Sequence, residues 1–253
     1  MEVAKRLIGA AAKAGADAVK FQTFDAEKLE PPGPKRTILS KLQLSRGDHF
    51  KLRSEALFCG VEFMSTPFDI ESLFFLAGDV GVKRIKLASG ALFYPELLNA
   101  ARAWKRPIIL STGMADIDAI GKAVGILRYS NLSLLHCVSA YPTPINELNV
   151  SAVKTLKKFG VPVGLSDHSL SLVAPSVAVS MGATIIEKHI KSHGDTSSPD
   201  HMVSLDPDDF KKMVEFVRET EKLIGDGEKL MRACEAETWK TIKEREAHRL
   251  CAS

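Results

Sequence analysis

The chain has 253 residues, 45% hydrophobic and 26% charged, a composition that predicts a folded core and excludes global disorder. Its 34 lysines and arginines nearly balance its 31 aspartates and glutamates, and the absence of a basic stripe argues against nucleic acid as a partner. The four cysteines form no CxxC pair, and the start resembles no signal peptide, so we expect a cytoplasmic protein. Pro175 and Gly182 interrupt the longest apolar run, so we expect no membrane partner.

Seven short apolar runs rich in β-branched residues alternate with amphipathic segments of helical period. The predicted strands are Ala18–Gln22, Val61–Thr66, Arg84–Ala88, Pro107–Ser111, Leu132–Val138, Val161–Leu165 and Thr184–His189. Alternating strands and helices predict a parallel sheet with right-handed crossovers. We expect residues 1–230 to form this α/β domain and residues 231–253 to form a helical connector.

Chemically distinctive side chains stand at the carboxyl end of nearly every predicted strand. A closed barrel gathers its site from several strands at this end, whereas an open doubly wound sheet concentrates it at one switch point after a glycine-rich loop. No GxGxxG motif is present. We therefore predict a TIM-type (β/α)8 barrel, and, because a helix precedes the first of only seven strands, a barrel that lacks its first strand.

Two lysines are predicted to point into this barrel. Lys20 shares one face of its strand with Gln22, and Lys86 ends another strand with Ser89 close behind it. A lysine within an apolar strand is costly unless an anion accompanies it. Such lysines beside hydroxyl groups would suit a phosphate and a carboxylate. The alternative is that each lysine lies at a strand mouth in contact with solvent.

Histidines end two adjacent late strands, His168 after one and His189 after the next. Two imidazoles on neighbouring barrel strands can converge on a divalent metal and leave positions open for water and substrate. The alternative is that each histidine is a hydrogen-bonded strand cap. His49, on a charged helical stretch, is expected at the surface. The adjacent His136 and Cys137 should point to opposite faces, which argues against a Cys–His nucleophile.

Six motifs, in their order along the chain, resemble those of the sialic acid synthases. This family includes N-acetylneuraminate, legionaminate and pseudaminate synthases and the spore-coat polysaccharide E proteins. The resemblance extends over residues 3–230. The matching motifs are Ala14–Thr23, Phe63–Asp69, Lys86–Gly90, Ile109–Met114, Gly164–Ser169 and Glu187–His189.

The resemblance implies condensation of phosphoenolpyruvate with an N-acyl amino sugar to a nonulosonic acid, with release of phosphate, in an enzyme of polysaccharide biosynthesis. It implies a divalent cation held by His168 and His189, usually Mn²⁺, with Mg²⁺ or Co²⁺ as alternatives. The implied catalytic residues are Lys20, Lys86 and His189. The residues implied to bind phosphoenolpyruvate are Lys20, Lys86, Ser89 and Ser166, and those on the sugar side are Gln22, Thr66, Phe68, Ser139, Tyr141 and Asp200.

The sequence also departs from the family pattern. The first-strand glutamate and the small C-terminal antifreeze-like domain have no counterpart, Ala91 replaces the glutamate of a Ser-Gly-Glu motif, and Ser139 replaces an asparagine. Two alternatives therefore stand beside the synthase. One is a non-catalytic barrel that keeps sugar or metal binding, and the other is a metal-dependent aldolase. Strand edges exposed by the missing strand also predict association, so we expect a homodimer or a poorly soluble monomer.

Overall fold

The structure is a computed structural model that describes residues 1–251. All seven predicted strands are confirmed, with each end within two residues of the prediction. They are β1 (Ala18–Thr23), β2 (Glu62–Pro67), β3 (Ile85–Leu87), β4 (Ile108–Ser111), β5 (Leu132–Cys137), β6 (Val163–Asp167) and β7 (Ile185–Lys188).

Helices connect the strands in the predicted alternation. They are α1 (Glu2–Lys13), α2 (Ala26–Leu29), α3 (Pro34–Leu42), α4 (Arg46–Phe58), α5 (Ile70–Phe74), α6 (Pro95–Ala103), α7 (Ile117–Ile126), α8 (Ala152–Leu156), α9 (Ala174–Ser180), α10 (Pro207–Ile224) and α11 (Ala236–Cys251). A π-helical segment, Phe75–Val80, extends α5, and short 3₁₀ turns occupy Ser89–Phe93, Ile145–Glu147, Lys157–Phe159 and Ala233–Glu235.

Side-chain caps fix where several helices begin. Asp25, Ser45, Asp69 and Asp116 each accept a hydrogen bond from a backbone amide in the first turn of the following helix. Such a bond satisfies one of the backbone donors that a helix start leaves without a partner. These residues lie where the chain turns from a strand or loop into a helix.

The strands form a curled parallel sheet, a half-barrel of the predicted α/β class. It consists of two hydrogen-bonded segments, β1-β2 and β3-β4-β5-β6-β7. All strand pairs in both segments are parallel. Parallel pairing places every strand's carboxyl end at the same edge of the sheet.

The alternation of side chains separates an outer core from an inner one. Outward residues such as Leu87, Leu110 and Leu165 are fully buried in the cluster that joins the sheet to its helices. The inner face carries a smaller apolar layer formed by Met64, Ile109 and Leu135, with Ala18 and Ile185 against it. This layer forms the floor beneath the carboxyl ends of the strands.

The chain divides into two compact units, one of residues 1–221 and one that starts at Lys222. The first unit contains all seven strands. The second contains α11, whose fully described side chains are exposed. Within residues 1–251, no helix combines the length and apolarity needed to cross a membrane.

Candidate active site

Polar side chains form the layer above the apolar floor. Because side chains on one face of a strand recur every second residue, each inward residue of the floor is followed two positions later by another inward residue. On six of the strands this later residue is polar or ionisable. These residues are Lys20, Thr66, Ser111, Cys137, Ser166 and Glu187, joined by Lys86 from β3.

The carboxylate of Glu187 lies at the centre of this layer. One oxygen, Oε2, lies 3.4 Å from Lys20 Nζ and 3.6 Å from Lys86 Nζ. The other, Oε1, accepts a 2.7 Å hydrogen bond from Ser166 Oγ. Lys86 also donates a 2.8 Å hydrogen bond to Ser111 Oγ. Several strands thus contribute to one charged cluster, in which two ammonium groups share one carboxylate.

Burial sets the protonation of this cluster. Lys86 is only 2% exposed. Its burial lowers its pKa to about 8, against the opposing effect of Glu187. Burial would raise the pKa of Glu187, but the charges of Lys20 and Lys86 outweigh it and hold that pKa well below its usual range. Glu187 is therefore ionised. Because two lysines share this one carboxylate, the cluster can carry a net positive charge.

The two predicted histidines are adjacent, with ring centroids 5.3 Å apart. Nδ1 of His168 lies 3.1 Å from the Val138 carbonyl oxygen. Since a carbonyl oxygen only accepts, Nδ1 carries the proton and Nε2 holds the lone pair. Nδ1 of His189 lies 3.6 Å from Asp200 Oδ2. The His168 ring is thus oriented through Nδ1, as is typical of metal-binding histidines, while the Asp200 carboxylate lies near Nδ1 of His189 just beyond hydrogen-bonding range.

The two imidazoles differ in their titration. Burial, and then the charge of Lys20, lower the pKa of His189 to about 4, so this ring is neutral at physiological pH. Burial would also lower the pKa of His168, but the Cys137 thiol, 3.7 Å from Nδ1, outweighs it and raises that pKa. Burial would raise the pKa of Cys137, but His168 outweighs it and lowers that pKa.

The donor set fits a cation that takes two protein ligands. Among residues 1–251, no group of three or more His, Cys, Asp and Glu side chains could hold a metal ion. A divalent ion at His168 and His189 would therefore complete its coordination with water or substrate oxygens. Sites with open positions of this kind are those in which a metal can act on a substrate.

A narrow cradle lies beside the lysines, around Gly113. The Gly113 amide donates a 2.9 Å hydrogen bond to Ser89 Oγ. A Cβ atom at this position would lie 2.2 Å from Ser139 Oγ, 2.9 Å from Ser89 Oγ and 3.2 Å from Cys137 Sγ. A side chain at this position would force the Ser139 and Ser89 hydroxyls to move, so glycine leaves room for both predicted serines in the cradle.

Tyr141 and Asp200 lie beside the histidines, and Gln22 and Asp200 line one cavity. The Tyr141 ring lies over that of His168, with centroids 4.3 Å apart, and burial raises the pKa of Tyr141 to about 12, so its phenol stays neutral. Thr66 is 2% exposed, and its buried Oγ1 has no hydrogen-bond partner. The cavity has a volume of about 520 Å³ and is lined by Lys20, Gln22, Lys86, Glu187, His189 and Asp200.

The structure shows the surroundings of three further residues. Phe68 packs edge-on against Phe24, with centroids 6.1 Å apart, and so faces a ring outside the charged cluster. The separation of His136 from Cys137 is confirmed, since His136 Nε2 hydrogen-bonds the Leu148 carbonyl while Cys137 faces His168. Glu187 was not predicted as a site residue. Its place in the Glu-Lys-His motif was the available signal.

The prediction of a surface position for His49 is wrong. This histidine is 1% exposed. Its Nδ1 donates to the Ser45 carbonyl at 2.8 Å, and its Nε2 accepts from Thr23 Oγ1, also at 2.8 Å. Thr23 Oγ1 in turn lies 2.7 Å from Ser65 Oγ. A polar chain links α4 to β1 and β2, so burial costs this imidazole no hydrogen bond.

Comparison with known proteins identifies relatives of this chain. A family model described as the NeuB family matches residues 7–229. The N,N'-diacetyllegionaminic acid synthase of Legionella pneumophila is 40% identical over 90% of this chain and 70% of its own length. An uncharacterised protein of Methanocaldococcus jannaschii is 42% identical over 91% of this chain and 69% of its own.

The solved structures agree as well. The crystal structure of N-acetylneuraminic acid synthetase from Leptospira borgpetersenii, in complex with citrate, matches with a TM-score of 0.89 and 33% identity, over 98% of this chain and 87% of that one. The resemblance predicted from the six motifs is thereby confirmed. With the family model matching most of its length, the chain belongs to the NeuB family.

Proposed function

We propose that this protein condenses phosphoenolpyruvate with an N-acyl amino sugar to form a nonulosonic acid. The observation that carries the proposal is the Lys20–Glu187–Lys86 cluster, in which Lys86 is buried, beside the paired imidazoles of His168 and His189. The first group suits an anionic substrate and the second suits a carbonyl to be activated. Relatives in the NeuB family are named as synthases of legionaminic, pseudaminic and sialic acids.

The anionic half of the reaction belongs to the lysines and the Gly113 cradle. Lys20 and Lys86 would bind the phosphate and carboxylate of phosphoenolpyruvate, with hydroxyl donors from Ser89 and Ser166. What supports this assignment is the burial of Lys86, since a buried ammonium group interacts strongly with an anion. Glu187 holds both lysines in place for that anion.

The sugar half belongs to the opposite rim. Gln22, Thr66, Tyr141 and Asp200 would hydrogen-bond the hydroxyl and N-acyl groups of the sugar, and Ser139 would lie between the two substrates. The unpartnered hydroxyl of Thr66 supports this assignment, because a buried polar atom without a partner is costly unless a ligand satisfies it. Phe68 is also proposed to line the sugar side, where it packs edge-on against Phe24.

His168 and His189 would hold a divalent cation, which we propose is Mn²⁺, with Mg²⁺ or Co²⁺ able to replace it. When bound, this ion would act as a Lewis acid toward the aldehyde oxygen and would orient the sugar. Val138 contributes by fixing the His168 ring through Nδ1, and the Asp200 carboxylate lies beside Nδ1 of His189.

The proposed condensation makes one C–C bond and breaks one C–O bond. The methylene carbon of phosphoenolpyruvate forms a bond to the aldehyde carbon of the open-chain sugar, and the aldehyde oxygen takes a proton. Water adds to the carbon that bears the phosphate ester and loses a proton. The C–O bond to phosphate then breaks, which leaves a 2-keto acid and inorganic phosphate. Lys20 and Lys86 stabilise the departing phosphate by holding its charge in a water-poor site.

Release of inorganic phosphate tests the proposal. The chain is incubated with phosphoenolpyruvate and Mn²⁺, with and without N-acetylmannosamine or a 2,4-diacetamido hexose. Sugar-dependent release is expected in the wild type and in His248→Ala, whose position on α11 is exposed, and loss of release is expected in His189→Ala. Release that does not need the sugar, or that survives in His189→Ala, would contradict the assignment.

A non-catalytic barrel is the second candidate, favoured by Ala91 at the position where the family motif has a glutamate. It predicts tight binding of Mn²⁺ or phosphoenolpyruvate with no phosphate release. The third candidate, a metal-dependent aldolase, would consume pyruvate or a ketose phosphate and release no phosphate. The same incubations, repeated with pyruvate in place of phosphoenolpyruvate, therefore separate all three candidates.

We also propose that an eighth strand completes the barrel between β1 and β7. Within residues 1–251, β1 pairs only with β2, and β7 pairs only with β6. The cavity extends between these two strands and reaches apolar side chains of α1 and α10, including Leu7, Ala11 and Met213. A strand there would connect to β1 through α1 as a right-handed crossover.

Hydrogen exchange tests the eighth strand. In the monomer, amides on the open edges of β1 and β7 are expected to exchange rapidly. Joining a designed strand of about five residues ahead of α1 through a short loop should slow that exchange and raise the melting temperature. Unchanged exchange in the joined chain would contradict the proposal.

For the chain alone, we propose a homodimer, because open strand edges recruit further strands. Light scattering should give twice the 27.6 kDa chain mass, and the joined strand should release monomers. A monodisperse monomer without the joined strand would refute the dimer.

A further inference from the structure

A buried ion pair joins β6 and β7 next to the two histidines. Asp167 and Lys188 are direct cross-strand partners. Lys188 Nζ lies 2.7 Å from Asp167 Oδ2, and the side chains of Lys188 and Asp167 are 1% and 0% exposed. Each residue immediately precedes a histidine, Asp167 before His168 and Lys188 before His189. Alternation along a strand places the pair on the face opposite Ser166 and Glu187.

The same pair holds the backbone that follows His168. Asp167 Oδ1 accepts a 2.8 Å hydrogen bond from the Ser169 amide, and Lys188 Nζ donates to the Ser169 carbonyl oxygen. Ser169 itself is fully buried. The ion pair thus fixes both the amide and the carbonyl group of Ser169. Lys188 lies on β7, the strand that leads to His189, so the pair links the backbone next to both histidines.

Stability alone is a weak reason for a buried ion pair. Two charges removed from water lose much of their hydration, and hydrophobic replacements of similar volume are often neutral or stabilising. An ion pair does, however, impose a direction and a distance that apolar packing does not. Here the distance it imposes is the one between the ends of β6 and β7, where the imidazoles meet.

We propose that Asp167 and Lys188 are positioning residues that set the separation of the His168 and His189 rings, and through it the affinity for the divalent cation. The inference rests on the proposed metal role of the two histidines. Neither positioning residue needs to touch the ion or the substrates. Their effect passes through the Ser169 backbone and the register of β6 and β7.

Mn²⁺ titration of the full chain tests this role, with thermal unfolding measured in parallel. Asp167→Asn and Lys188→Met are expected to weaken Mn²⁺ binding by about 10- to 100-fold, the range seen when groups behind metal ligands are lost. The double variant Asp167→Leu/Lys188→Met should recover much of the melting temperature but not the Mn²⁺ affinity. Recovery of both would show that the pair serves stability alone and would overturn the inference.

The control is Leu98→Ala, a cavity variant in α6 with a fully buried side chain. It should lower the melting temperature while leaving Mn²⁺ affinity within about twofold of wild type, which separates positioning from general destabilisation. Affinity that falls in parallel with the melting temperature across all variants would overturn the inference.

Histidine ring resonances supply a readout that needs no metal. In the NMR spectrum of the metal-free chain, Asp167→Asn should shift the ring signals of His168 and His189 and leave those of His136 in place. Unshifted rings would overturn the positioning role. A wild-type chain that binds no Mn²⁺ but whose rings shift in the variant would instead contradict only the proposed metal role.

Discussion

Gly164 lies where the β7 backbone passes close to β6, and Gly164→Ala gives a sharp test of the site's geometry. The residue pairs with Ile185 in the parallel register. A Cβ atom there would lie 2.2 Å from the Ile185 carbonyl oxygen and 2.6 Å from Leu135 Cδ2. The first of these neighbours is backbone, so the clash cannot be relieved by rotating a side chain.

The size of the effect follows from these distances. A carbon approaches a carbonyl oxygen to about 3.3 Å, so the two strands must separate by about 1 Å. The adjacent bond from the Thr184 amide to the Val163 carbonyl is 2.8 Å long. It would lengthen to about 3.9 Å, beyond hydrogen-bonding range. Overpacking of this kind costs about 1–3 kcal/mol. For a domain of this size, that lowers the melting temperature by about 2 to 12 °C.

The assay is thermal unfolding followed by Mn²⁺ titration, with Gly125→Ala as the matched control. Gly125 lies in α7, and a methyl group added there would have nothing within 4 Å, so alanine should raise the melting temperature by about 2 °C through helix propensity. Gly164→Ala should also weaken Mn²⁺ binding, because β6 and β7 lead to the two histidines. Equal melting temperatures for the two variants would refute the reasoning.

Three further predictions concern buried polar groups. Because burial lowers the pKa of Lys86 to about 8, phosphoenolpyruvate binding should weaken and log kcat/KM should fall as pH rises through 8. Lys86→Arg stays protonated and should abolish this fall. A fall that persists in Lys86→Arg would show that another group titrates there. Thr66→Val should leave the melting temperature equal or higher, since it removes an unpartnered buried hydroxyl, but should raise the sugar KM about tenfold; a lower melting temperature with an unchanged KM would contradict this. Burial lowers the pKa of folded His49 below its unfolded value, so the stability it contributes is present above about pH 6.5 and is lost as pH falls below that value. In His49→Gln, chemical denaturation should show a smaller loss of unfolding free energy over that range, and an equal loss would contradict the assignment.

Local patterns were sufficient to predict the elements. The alternation of apolar and polar residues located β1 to β7, because a strand of a curled sheet buries one face against helices and turns the other toward the barrel interior. The same alternation predicted that Lys20 and Lys86 face inward. Periodicity could not find His49, because its charged neighbours on α4 are exposed and only the hydrogen bonds to Thr23 and Ser45 explain its burial.

The sequence by itself determined the α/β class, the parallel strands, the inward lysines and the two histidines at adjacent strand ends, because each depends on spacing along one strand or helix. Tertiary structure decided that Glu187 joins Lys20 to Lys86, that Cys137 meets His168, and that Asp167 pairs with Lys188 behind the histidines. These contacts join different strands, and their distances depend on how far the sheet curls. Curl is a property of the packed sheet as a whole, so it is not encoded in the pattern of any single segment.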